Sequence, residues 1–403
     1  MKKFLLPILF APLLLSCGDG SESADAGSGN VLEDFSFSVD TVVVDPGEEI
    51  INLSQGIRSS DLDESKTHFY LFDPATTTIN KISLDELRLV EQIPFEKEGP
   101  NGVGEYLSAV KVLSGERFLF GSFRNTGIYS KSGEKIRDLT LKPEELDIEG
   151  LEEGIGFSLS NSMRLSPDES HILSLPGDFM EGTRQLAKIN LEEKNGKLIQ
   201  IPGLDKSTEY RILLQSDQAM SIFADPTHFQ EFNGTYFLSA GATNSVYLYD
   251  YKTDSLDLRT FNFTVTPNGK EIPVQGKVSS PEEFESEMEK AITQVMFEEL
   301  LFDDQNERFY RFGRIMDPKI DDETPRTSDV FLFAFDKALN LIGETAIPEL
   351  DAIPAEAFFK DGKLWSYVNV DDELGFAVFD FGSETTNSER RNPSENELKI
   401  NDE

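Results

Sequence analysis

Between residues 35 and 382 short polar turns alternate with strands of aromatic and apolar residues. Six such turns lie at 63–67, 114–117, 166–170, 233–235, 303–307 and 360–363. The first apolar residues after them are Phe69, Phe118, Ile172, Tyr236, Phe309 and Leu364, spaced 49, 54, 64, 73 and 55 residues apart. Those spacings suit units of four strands with variable loops. Each unit offers a further strand, at 79–84, 126–129, 185–189, 245–249, 330–335 and 375–379. Most of these alternate large apolar residues or run apolar throughout, as strands packed on both faces do. Outer strands follow in five units, at 89–95, 135–141, 198–201, 256–263 and 339–347.

The sixth unit has no outer strand, because the chain turns polar after Phe381. An open sheet edge invites association with other chains. One strand is left over near the start, at 35–44, alternating at first and then β-branched. Placed beside the last sheet, it closes a ring. The pattern therefore predicts an all-β fold, a six-bladed β-propeller closed by an N-terminal strand; seven blades or two β-domains are the alternatives.

One segment breaks the β pattern. Ser280, Pro281, Glu282 and Glu283 form a capping box with proline at the first helical position, and Phe284, Met288, Ala291, Ile292 and Val295 then share one face. A helical insertion of about three or four turns is expected between blades 4 and 5. Two readings of it stand: a lid or partner-docking element over one mouth, and a plain insertion packed on the rim.

The N-terminus has the layout of a secretory signal, with Lys2 and Lys3, an apolar run over 4–15, then Ser16 and Cys17. The run is too short to span a bilayer and is interrupted by Pro7 and Pro12. Leu14 to Cys17 resembles a bacterial lipobox, so Cys17, the sole cysteine, is the expected lipidation site, with residues 1–16 removed. No aspartate directly follows Cys17, which makes the outer membrane, on either face, the expected residence. Residues 17–34 read as a lipidated tether and 383–403 as a disordered polar tail around the body at 35–382.

Acidic residues number 74 against 37 basic ones, a net charge of −37. Such a surface repels phosphates and argues against nucleic acid as a partner. The expected partners are the membrane, through the lipid anchor, and a protein, peptide or glycan ligand.

Ser166, Pro167, Asp168, Glu169, Ser170, His171 and Ile172 resemble the Ser-Pro-Asp-Gly strand–turn–strand signature of TolB-like blades, with Glu169 and Ser170 replacing the usual glycine and basic residue. Gly99 to Glu105 resembles the glycine-rich loop before an inner strand in six-bladed lipoproteins. With the lipobox and six units, the chain resembles uncharacterised Gram-negative lipoprotein families carrying a TolB-like or six-bladed propeller domain of unknown function. The resemblance implies architecture and location rather than an activity.

Catalytic signatures are mostly absent. Of three histidines, His68 and His171 occupy equivalent places in different units and so cannot share a metal, while His228 reads as a structural residue. Zinc spacings, a nucleophile elbow and a phosphate loop are all missing. Acidic clusters at Asp61 and Asp63, at Asp303 and Asp304, and at Asp317, Asp321 and Asp322 read as solvated turns, with calcium as the other possibility. No catalytic residue and no resident cofactor is expected. Arginines are more informative in so acidic a chain. Arg311 and Arg314 interrupt an aromatic strand, Arg124 and Asn125 follow a second strand, and Arg164 ends a first strand. Arg124, Arg314 and the 99–105 loop, with Asn101 and Glu105, are expected towards one mouth, where they would take an anionic group; internal ion pairing is the competing reading. Two functions follow: a binding or scaffold module, and a calcium-dependent hydrolase of the propeller lactonase type.

Overall fold

The computed structural model describes residues 29–104, 107–122, 125–151, 158–216, 220–321 and 323–382. Strand β1 (Phe37–Val43) comes first. Blade I is β2 (Ser60–Leu62), β3 (His68–Asp73), β4 (Thr78–Ser83) and β5 (Arg88–Pro94). Blade II is β6 (Ala109–Leu113), β7 (Arg117–Gly121), β8 (Thr126–Ser130) and β9 (Lys135–Asp138). After β10 (Asp147–Glu149), blade III runs through β11 (Arg164–Leu165), β12 (His171–Ser174), β13 (Gln185–Asn190) and β14 (Asn195–Gln200). A short helix α1 (Pro202–Asp205) then leads to β15 (Ile212–Gln215) and β16 (Met220–Phe223). Blade IV is β17 (Thr227–Phe232), β18 (Thr235–Ala240), β19 (Val246–Asp250) and β20 (Ser255–Arg259). Next come β21 (Lys277–Val278) and helix α2 (Pro281–Ile292). Blade V is β22 (Met296–Asp303), β23 (Arg308–Met316), β24 (Ser328–Phe335) and β25 (Leu341–Ala346). Blade VI is β26 (Phe358–Lys360), β27 (Lys363–Val370) and β28 (Glu373–Phe381), to which β1 adds the outer strand.

The alternation of side chains along each second strand builds the ring, because successive residues point to opposite faces. On β3, Phe69 and Leu71 pack with Leu374 and Phe376 of blade VI, while Tyr70 and Phe72 meet Phe118 and Phe120 of blade II. Leu119, on the other face of β7, joins Ile172 of blade III. Leu173 and Leu186 then pack on Tyr236 and Leu238 of blade IV. Phe237 and Val246 meet Phe309 and Phe333 of blade V. Tyr310 and Leu332 meet Leu364 and Phe379 of blade VI. Six interfaces thus run round the molecule and return to the first blade. Burying an aromatic or aliphatic side chain contributes roughly 1.5–3 kcal/mol, so these interfaces are the main cohesive term.

The left-over N-terminal strand closes this ring. β1 pairs antiparallel with β28 over seven residues, from Phe37 opposite Phe381 to Val43 opposite Gly375. Upstream, the Val31 N–H donates to Ile342 O, and Leu32 is buried against blade V.

Two features were not legible in the repeat pattern. β10 joins blade III as a fifth strand, parallel to β14. A three-stranded sheet, β16–β15–β21, stands outside the blades, with β15 and β21 parallel although they come from either side of blade IV in the chain. Helix α2 lies where predicted. Ser280 Oγ accepts from Glu283 N–H, but the Glu283 carboxylate accepts from Ser279 N–H rather than closing on Ser280. Phe284 and Met288 pack against Ile212, Leu214 and Val278 of the extra sheet, which gives the apolar face of α2 its seat.

Candidate functional site

The innermost strand of blade V carries an irregularity at the centre of the molecule. In the β22–β23 ladder Phe297 pairs with Gly313 and Leu300 with Arg311, leaving Glu298 and Glu299 opposite Phe312 alone. This two-against-one bulge re-aims side chains that a regular strand would alternate. Gln230 of β17 holds it from blade IV, donating Nε2–H to Leu300 O (2.7 Å) and accepting from Leu300 N–H (3.2 Å). From behind, Arg311 Nε donates to Glu298 O at 2.7 Å. Arg311 is fully buried, with its guanidinium 5.0 Å above the Phe297 ring. Burial pushes its pKa down, with Glu298 acting against that. His228 Nε2 donates to Phe297 O at 3.3 Å, and burial together with Arg311 pushes the imidazole down to about 4, so it is neutral at physiological pH.

The bulge faces a cavity of about 490 Å³ on the propeller axis, to which inner strands or their approaches from all six blades contribute. Asp61 comes from blade I, Lys111 from II, Arg164 from III, Gln230 from IV, Glu299 from V and Phe358 from VI. Lys111 Nζ pairs with Asp61 Oδ1 at 2.7 Å, and Asp61 Oδ2 accepts from Val112 N–H at 2.8 Å. Lys66 pairs with Asp304 at 2.5 Å where the hairpin turns rim the cavity. Arg164 differs. Its Nη1 donates to Met163 O (2.9 Å) and its guanidinium lies 5.8 Å from the Phe229 ring, but among the described residues it makes no ion pair.

Glu299 lines the cavity with its side chain exposed to it. Desolvation by the surrounding cavity walls raises its pKa; Arg164 opposes the rise and Glu298 reinforces it. Burial lowers the pKa of Arg164, against Glu299 and Asp61. Glu298 belongs to a different group, being raised by burial and opposed by Arg314 and Arg311. The bulge therefore assigns adjacent glutamates to two separate sets of cations.

The described sequence-derived candidates do not converge on one place. Cys17, Glu105 and Arg124 lie outside the described residues. Arg164 lines the axial cavity, whereas Arg311 is sealed behind its wall. Arg314 Nη2 lies 3.9 Å from Met296 Sδ and has Glu298, Asp225 and Lys270 as electrostatic neighbours. Asn101 and Asn125 brace the outer part of blade II: Asn101 Oδ1 accepts from Lys135 N–H at 3.1 Å, and Asn125 accepts from Lys135 Nζ at 2.6 Å while donating to Gly102 O. Gln230 and the two glutamates were missed. Their signal was the paired acid interrupting the apolar stretch 295–302.

Several acidic residues make turns. Asp63 accepts from Thr67 N–H, Asp303 from Gln305 N–H and Asp321 from Thr324 N–H. Asp322 is outside the described residues. His68 and His171 both open second strands, where His68 Nδ1 contacts Asp63 and His171 Nδ1 contacts Ser170. Among the described residues no group of three or more His, Cys, Asp or Glu is placed to hold a metal, and no helix is long and apolar enough to cross a membrane.

Among solved structures, a DUF4221 family member from Bacteroides vulgatus superposes with a TM-score of 0.62 at 13% identity, over 86% of this chain and 98% of that one. The β-propeller domain of Cps50 (Swd1) from Myceliophteria thermophila matches at a TM-score of 0.37 and 6% identity, over 86% and 99% of the two chains. A luciferin-regenerating enzyme matches at 0.38 and 12% identity, over 85% and 95%. At 13% identity the likeness to the Bacteroides vulgatus structure is one of fold. No curated protein matches the sequence. The model of DUF4221, a domain of unknown function, matches residues 30–346, and the chain belongs to that family.

Proposed function

We propose that this protein is an envelope lipoprotein whose propeller is a binding module, taking a protein, peptide or glycan ligand through an anionic group at the axial cavity. The observation that carries this reading is Arg164, a guanidinium deep in an acidic protein, open to the cavity and without a carboxylate partner among the described residues. Desolvating a charge without pairing it costs several kcal/mol. A carboxylate or sulfate on a ligand would supply the missing partner through charge-assisted hydrogen bonds. Glu299 and Gln230 line the same space, where they accept from or donate to the ligand's polar groups.

The test is thermal stabilisation of the mature protein by a panel of acidic peptides and sulfated or carboxylated oligosaccharides. At least one class is expected to raise the midpoint of the wild type and not of Arg164→Ala. A variant that keeps the shift, or a panel without effect, rejects the axial site. Attachment to the outer membrane rests on Cys17 alone: Cys17→Ser is expected to lose acyl labelling, and a variant still anchored overturns the lipoprotein reading.

A further inference from the structure

A second cavity, of about 250 Å³, opens between blades II and III and is lined by Ser108, Ser158, Ser160, Asn161, Phe179 and Arg184 among others. Ser108 and residues 158–161 lead into the innermost strands β6 and β11, and residues 177–184 join β12 to β13. The axial cavity reaches instead to Glu64, Lys66 and Asp304, in the turns that end the innermost strands. The two cavities therefore open at opposite ends of the propeller.

Its electrostatics run against those of the protein as a whole. Among the described residues Arg184 Nη1 donates to main-chain oxygens alone, Thr183 O at 2.9 Å and Asp178 O at 3.5 Å. Behind the same loop Arg211 is buried, donates to Phe179 O at 2.6 Å and packs on Gly182, where any Cβ would stand 2.5 Å from its Cδ. Neither guanidinium forms an ion pair among the described residues, although acids outnumber bases two to one in the chain. The nearby acids attract the guanidiniums without pairing with them: Asp178 acts on both but accepts from the N–H groups of Met180 and Glu181, and Glu181 acts on Arg211 but pairs with Lys277 at 3.2 Å. Burial and the neighbouring Arg211 both depress the pKa of Arg184, with Asp178 opposing them. Two like charges side by side repel, and an anion between them and the solvent relieves the cost.

The remaining lining narrows the anion. Phe179 stands 53% exposed at the rim and offers an apolar ring face to the solvent. Ser160 and Asn161 add hydroxyl and amide groups, and the space suits one sugar ring more than a folded peptide. We propose that this cavity binds a carboxylated sugar of the uronic acid class. Its carboxylate sits on Arg184 in the field of Arg211, its hydroxyls meet Ser160 and Asn161, and the C–H face of its ring lies on Phe179.

Isothermal titration of the mature protein with galacturonate, galactose and acetate tests this. Galacturonate is expected to bind at least about tenfold more tightly than either partial analogue, the equivalent of one charge-assisted contact. Arg184→Ala should lose galacturonate binding, whereas Phe179→Ala, an exposed position that leaves the fold intact, should weaken galacturonate and leave acetate unchanged. Arg164→Ala should bind galacturonate as the wild type does, which separates this site from the axial one. Equal binding of galactose, acetate binding as tight as galacturonate, or undiminished binding by Arg184→Ala and Phe179→Ala overturns the proposal.

Discussion

Lys270 Nζ lies 2.6 Å from Asp225 Oδ1, and each side chain is only 1% exposed. The pair joins the approach to blade IV with the long connection that leaves it. Tyr210 reinforces it, with its hydroxyl donating to Lys270 O and its ring 5.7 Å below Lys270 Nζ. Burial is the larger influence on both partners, raising the carboxyl of Asp225 and lowering the ammonium of Lys270 despite their mutual attraction. Asp225 Oδ2 has no hydrogen-bond partner among the described residues.

A buried ion pair of this kind is costly to break and cheap to replace. Lys270→Met alone, or Asp225→Leu alone, is expected to destabilise the fold by about 3–5 kcal/mol, because each leaves a charge stranded. The double variant should regain most of that loss. Urea denaturation of the four proteins measures it; additive losses would mean that the pair does not act as a unit.

His228 makes stability depend on pH. Its folded pKa of about 4 is below the ordinary 6.5, so the unfolded chain binds the extra proton first. Its contribution is therefore fully present above about pH 6.5 and is lost as pH falls towards 4, a span on the order of 3 kcal/mol. Glu298 and Glu299, whose pKa values are raised, change stability in the opposite sense, so the useful quantity is a difference. Subtracting the His228→Gln curve from the wild-type curve of stability against pH should isolate a rise between pH 4 and 6.5. A flat difference would place the imidazole in contact with solvent.

Closure by β1 can be tested without deleting it. A Cβ on Gly343 would stand 2.7 Å from Val31 Cγ2 and 2.8 Å from Asn30 Oδ1. Gly343→Val should lift the segment leading into β1 and cost about 1–3 kcal/mol, the usual penalty of overpacking. Starting the chain at Pro46 should cost more, because it exposes the edge of β28 and uncovers Phe379 and Phe381, which the Phe37 and Phe35 rings contact. Limited proteolysis and thermal midpoints together rank the three proteins. A truncated chain as stable as the full one would show that the ring does not need its seventh register pair or any other.

The axial cavity was less legible than the ring that encloses it. Arg164 was suspected as a guanidinium ending an inner strand of an acidic chain, although it opens β11 rather than ending it. Arg311 and Arg314, three residues apart on one strand, point to opposite faces of the sheet; the first is sealed against Phe297 and the second borders Asp225 and Lys270. Spacing along a strand specifies a face of the sheet, whereas exposure on that face depends on what the next blade places over it.

The repeat of strands, their alternation and the unpaired last edge are local properties of the chain, and they determined the six blades, the position of helix α2 and the strand that closes the ring. Each is dictated by a period of two or by a polar turn a few residues long. The extra sheet, the bulge at Glu298 and Glu299, and the unpaired arginines were decided only in three dimensions. β15 and β21 find each other across 64 positions, Gln230 reaches Leu300 from another blade, and among the described residues Arg184 makes no ion pair, while the nearby Asp178 and Glu181 bond elsewhere. Such arrangements depend on which blades meet and on how much water each contact excludes, and no window along the sequence contains that information.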